Sequence, residues 1–208
     1  MSVFSLLLVG SALASEVSEV EAQAQVTRIE AHYSTIQTLQ AGFTQTVHST
    51  LYGAQIQTGT VTFGRPGRMN WTFDKENKRY VSDGQTLWVV LSEDKQAFRY
   101  PGYDPSGSAE SLLHSLDNLT LLFDVQVTSH GEQGTELRLQ PKQAAGYSSV
   151  LLTLEPDLDV ARVVVTDTME TRTELVFSDM KTNVEVPQTL FSYVPEPGVE
   201  VIDAGKGP

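Results

Sequence analysis

The 208-residue chain contains no cysteine. Disulfides and lipid attachment through a thiol are thereby excluded, which leaves stability to a hydrophobic core. Basic side chains are scarce: 14 Lys and Arg stand against 26 Asp and Glu, for a formal charge of -12 and a pI near 4.6. Such a field repels phosphate backbones and anionic headgroups, so nucleic acid is not an expected partner, whereas basic protein surfaces would be steered toward it. An apolar run of about 20 residues, the length that spans a bilayer, is also missing.

Chemistry is equally thin. His32, His48, His114 and His130 are scattered with no pair at metal-ligand spacing, so neither a metal nor a cofactor is expected. Ser-x-x-Lys occurs at Ser92 to Lys95 and at Ser178 to Lys181 without the companion motifs of the enzymes that use it. Gly-x-Ser-x-Gly elbows, phosphate loops and dinucleotide fingerprints do not occur. Asp157 and Asp159 read as solvated carboxylates of a hairpin turn. A binding protein is expected, not an enzyme.

Met1 to Ala14 carries no charged side chain, is apolar from Val3 to Val9 and closes on Ala12-Leu13-Ala14. A small-x-small ending of this kind reads as a secretory signal cut after Ala14, leaving residues 15–208 as one mature domain free in the periplasm. From Ser15 to Gln40, Ala22, Val26, Ile29, Tyr33 and Ile36 recur at spacings of four and three, the stripe of an amphipathic helix.

The period then changes to two: Phe43, Gln45 and Val47; Val61 and Phe63; Met69, Trp71 and Phe73; Leu87, Val89 and Leu91. Turn residues at Gly64-Arg65-Pro66-Gly67, Asp83-Gly84 and Ser92 to Lys95 separate the runs. A second helix is expected over Ser108 to Asn118, with Leu112, Leu113 and Leu116 on one face. Alternation resumes at Leu121, Phe123, Val125 and Val127, continues through Leu137, Leu139, Val150, Leu152, Leu154, Ala161, Val163, Val165, Leu175 and Phe177, and ends in an extended piece at Phe191 and Tyr193.

About eleven strands in one sheet accumulate enough twist to curl. The expected fold is mainly β (α+β): an incomplete antiparallel barrel with a lid of helices over its concave apolar face.

Gly64-Arg65-Pro66-Gly67-Arg68-Met69-Asn70-Trp71 and Ser82-Asp83-Gly84-Gln85-Thr86-Leu87-Trp88 resemble the signature of the lipoprotein carrier family LolA. Phe43-Thr44-Gln45-Thr46, Gly59 to Phe63, and Phe191-Ser192-Tyr193-Val194-Pro195 extend the likeness over the mature chain. The resemblance implies a monomeric periplasmic chaperone with outer-membrane lipoproteins as cargo. It implies two partners as well, an inner-membrane lipoprotein-releasing ABC transporter and an outer-membrane lipoprotein acceptor. It further places the family's functional basic position on Arg65 and an apolar cavity position on Met69. The expected cargo-contacting set is Phe43, Phe63, Met69, Trp71, Phe73, Leu112, Leu113 and Leu116, with Arg65 bonding to lid or cargo and so controlling transfer. Two other readings stay open: these side chains fill one another, or the fold serves as a lipid sensor or envelope assembly factor.

Overall fold

The computed structural model describes residues 17–49, 53–103 and 109–205, so the expected signal lies outside the described residues. Helix α1 (Glu19–Ser34) begins where Ser18 and Glu21 close a reciprocal capping box, and Glu19 and Glu21 place negative charge at its positive end. It stops well short of Gln40. Thr38 already belongs to β1 (Thr38–Ser49), because Asn183, just past the end of the strand paired with β1, captures the Gln37 and Thr38 backbone. Ile36 stays buried although it lies beyond the helix.

Eleven further strands follow: β2 (Gly53–Gly64), β3 (Arg68–Phe73), β4 (Lys78–Asp83), β5 (Thr86–Leu91), β6 (Gln96–Pro101), β7 (Phe123–Gly131), β8 (Gly134–Pro141), β9 (Tyr147–Leu154), β10 (Val160–Asp167), β11 (Arg172–Thr182) and β12 (Glu200–Asp203). They form one sheet in the order β12-β6-β5-β4-β3-β2-β1-β11-β10-β9-β8-β7, with β12 and β7 as its edges. The sheet is therefore an open one of twelve strands, mainly β as expected. Every pairing is antiparallel except β12 with β6, which is parallel.

Inward alternation is clear on the central strands: Leu39, Ala41 and Phe43; Val61 and Phe63; Met69, Trp71 and Phe73; Leu137 and Leu139; Leu175 and Phe177. These join α1 through Val26, Ile29 and Tyr33, and the lid through Leu112, Leu113, Leu116 and Leu119, in one apolar cluster. The lid is not one helix. A 3-10 turn spans Ala109–Ser115, and α2 (Leu119–Leu122) is a single turn. Leu121, expected in a strand, lies on α2 and is 71% exposed.

The carboxy-terminal stretch forms a strap across the outer face of the sheet. The piece around Phe191 is a 3-10 turn, Gln188–Phe191, not an extended strand, and it packs on β3 and β4. Phe191 is buried there under Gly64 and Arg68, and Trp88 meets Tyr193 edge-on at 5.3 Å. Burial on these strands extends to the outer face, where Val81, Val90 and Ala97 are buried, as Leu87 is on the inner.

Candidate functional site

The β2–β3 turn, residues 64–68, is held from three directions. The Arg65 N–H donates to the Gln37 carbonyl at 2.9 Å, tying the turn to the start of β1. A cis Arg65–Pro66 bond and Gly67 at φ 61 reverse the chain. Gly84, at φ 95, lies so close that a Cβ there would stand 2.7 Å from the Pro66 carbonyl oxygen. Asp83 fixes that second turn by accepting from the Gln85 and Thr86 N–H groups, each at 2.8 Å. The two motifs that carry the family likeness are therefore adjacent turns packed back to back.

From this platform Arg65 reaches the end of α1 and the lid. Its Nε donates to the Ile36 carbonyl at 2.9 Å and its Nη2 to the Tyr33 carbonyl at 3.2 Å, where the carbonyl end of a helix favours positive charge. Its Nη1 pairs with Asp117 Oδ2 at 2.7 Å. Of the two expected alternatives, lid or cargo, the geometry shows a lid contact. Tyr33 is anchored in turn, its hydroxyl donating to the Leu158 carbonyl at 2.8 Å, and burial raises its pKa.

His114, on the lid, stands edge-on to Phe63 at 4.8 Å. Burial first, then the Arg65 charge, pushes its pKa down to about 4, so the ring is neutral at neutral pH. Its Nε2 is buried without a partner among the described residues, as is Asp117 Oδ1.

The eight expected contact residues all fall in the one buried cluster, none more than 7% exposed. Phe43 meets Trp71 at 4.7 Å and Phe73 at 5.3 Å, and Phe63 meets Trp71 at 6.0 Å. In this arrangement the side chains largely fill one another. A cavity of about 80 Å³ remains between Gln45, Trp71, Phe73, Tyr80, Val165, Thr173 and Leu175. A crevice of about 20 Å³ lies under the lid beside Arg65, Phe63, Leu113 and His114. Sequence reasoning missed Asp117, His114, Glu30, Tyr80 and Thr173. The one available signal for Asp117 was its place, a carboxylate closing a leucine-rich lid segment.

Among the described residues no three His, Asp or Glu side chains converge to hold a metal ion. No helix among them is long and apolar enough to cross a membrane.

The model of the outer membrane lipoprotein carrier protein LolA family matches residues 34–194. The chain belongs to this family. LolA relatives include an outer-membrane lipoprotein carrier protein of Chromobacterium violaceum, 27% identical with 94% of this chain and 96% of that one covered. A namesake from Alkalilimnicola ehrlichii is 28% identical, with 97% and 95% covered. Among solved structures, a conserved protein of Thermus thermophilus superposes with a TM-score of 0.57 at 13% identity, covering 87% of this chain and 99% of that one. That likeness concerns fold only. LolA membership places the chain among carriers, and its description names no catalytic activity.

Proposed function

We propose that this chain is a periplasmic chaperone that carries outer-membrane lipoproteins, taking up their acyl chains beneath a lid that Arg65 holds shut. On this reading residues 15–208 are the mature carrier domain and 1–14 its export signal. An inner-membrane lipoprotein-releasing ABC transporter supplies the cargo, and an outer-membrane acceptor receives it. The observation that carries the reading is the Arg65 clasp: one guanidinium holds the Tyr33 carbonyl at the end of α1, the Ile36 carbonyl just beyond it and the Asp117 carboxylate over a continuous apolar interior.

Physical chemistry supports exchange between side chains and hydrocarbon. Each buried methylene contributes roughly 0.8 kcal/mol, so a few carbons offset the loss of a partly exposed ion pair, which is worth about 1 kcal/mol. A lid that recloses on its own leucines gives the empty interior its own stability and keeps net affinity moderate. The formal net charge of -12 would speed encounter with basic docking surfaces on membrane partners.

The test is release. Purified mature protein is mixed with inner-membrane vesicles holding a newly made lipoprotein and its transporter, and soluble complex is measured. Stoichiometric release supports the carrier. Binding to envelope proteins without release of any lipoprotein would instead indicate an assembly factor.

A further inference from the structure

Trp71 is 2% exposed, and its one polar atom, Nε1, is buried with no acceptor among the described residues. Buried indoles ordinarily find a partner, because an unmet donor costs free energy that an apolar ring of similar shape does not. Other atoms of this ring line the cavity of about 80 Å³, so cargo reaches Nε1 by parting the side chains packed on it.

The inward face changes character along the strands toward the cavity, which Gln45, Leu175 and Thr173 line. On β1 the inward residues run Leu39, Ala41, Phe43 and then Gln45, and on β11 they run Phe177, Leu175 and then Thr173. The register pairs Phe43 with Phe177, Gln45 with Leu175 and Val47 with Thr173, so each strand places one polar side chain, Gln45 or Thr173, after its apolar residues toward the same rim, with Val47 beyond Gln45. Such a gradient suits a ligand that is hydrocarbon at one end and a neutral acceptor at the other.

We propose that Trp71 determines cargo specificity by donating its indole N–H to the carbonyl of an acyl ester or amide. The inference rests on the carrier reading and deepens it. Gln45 and Thr173 then face the polar end of the ligand, and the Phe43 side of the cavity faces its chain. A Phe in place of Trp71 would keep the ring contacts and lose the recognition.

Nitrogen-15 NMR tests this directly, since Trp88, the second of two tryptophans, packs against Tyr193 on the outer face and serves as an internal reference. Palmitoyl methyl ester should move the Trp71 indole proton downfield and bind roughly three- to tenfold more tightly than hexadecyl methyl ether. Trp71→Phe should bind the two about equally. Equal binding to the unaltered protein with an unmoved indole signal overturns the proposal while leaving the carrier reading intact. Binding of neither probe removes both. A diacylglyceryl lipopeptide and phosphatidylethanolamine vesicles form two further arms. A shift with the lipopeptide assigns the carbonyl to lipoprotein, a shift with vesicles alone assigns it to membrane lipid, and either supports the contact. Should Trp71→Phe fail to fold, the NMR arm on the unaltered protein still decides.

Discussion

Glu30 Oε1 accepts from both the Thr120 N–H, at 2.7 Å, and the Thr120 hydroxyl, at 2.8 Å. One carboxylate on α1 therefore satisfies the exposed amino end of α2, whose own Asn118 makes no side-chain cap. Replacing Glu30 by Ala should cost about 1 kcal/mol, the usual worth of a lost cap, and lower Tm by roughly 2–4 °C. Amide exchange at 119–122 should quicken while exchange in β1 to β3 holds. Uniform quickening across the sheet would show that Glu30 supports the whole fold and not the lid.

Arg65 and Asp117 give the second prediction. Arg65→Leu removes three bonds from the β2–β3 turn and leaves Asp117, 15% exposed at its side chain, without its cation. Stripping one partner from a largely buried pair is destabilising, here by roughly 1–3 kcal/mol after allowing for the 27% exposure of Arg65. Asp117→Asn should cost less, because the amide oxygen still accepts. In a loading and delivery assay Arg65→Leu should accept cargo and pass it on poorly or not at all. Transfer at the unaltered rate would retire Arg65 as the control point.

Much of this site was legible beforehand because its signals are local. Period-two runs fixed the inward faces of β1 to β3 and β8 to β11, and the Arg-Pro-Gly and Asp-Gly turns marked the two loops that pack together. What escaped depended on partners far away in the chain. β4 and β6 show no plain alternation in the sequence: Val81 on β4, Val90 on β5 and Ala97 on β6 are buried on the outer face, where the turn at 188–191 packs on β3 and β4. α1 looked longer than it is because Ile36 and Leu39 continue the helical spacing, while Asn183 pulls that stretch into the sheet. The Pro195-Glu196-Pro197-Gly198 bend before β12 was legible, but not the parallel pairing, since the partner β6 lies about a hundred residues upstream.

His114 should make the lid acid-sensitive. Its folded pKa, about 4, lies below the free value of 6.5, so the unfolded chain holds the proton more firmly. Stability from neutral His114 is then complete above about pH 6.5 and drains away as pH falls toward 4, at up to roughly 1.4 kcal/mol per pH unit. The charged groups facing the ring are Arg65, which opposes protonation, and Asp117, which favours it. Denaturant unfolding followed across that range should show a steep fall that His114→Leu flattens. An unchanged slope in the variant would place the acid sensitivity elsewhere.

Phe191 should matter more than its distance from the interior suggests. The ring lies beneath the Arg68 guanidinium, 5.1 Å from its centroid, and a Cβ on Gly64 would stand 2.9 Å from its edge. Asn70 holds the same segment by donating to the Leu190 carbonyl at 2.6 Å. Arg68 also donates to the Arg65 carbonyl, so the strap outside the sheet and the clasp inside it share one turn. Phe191→Ala should therefore act twice. Loss of a buried ring costs about 3–5 kcal/mol, and freeing Arg68 loosens the turn that presents Arg65. Phe191→Leu refills most of the socket, so it should restore most of the stability while weakening the contact with Arg68. If the Leu variant has near-normal Tm but faster lid exchange, strap and lid are coupled through residues 64–68. If lid exchange stays unaltered in both variants, the strap serves only to cover the outer face.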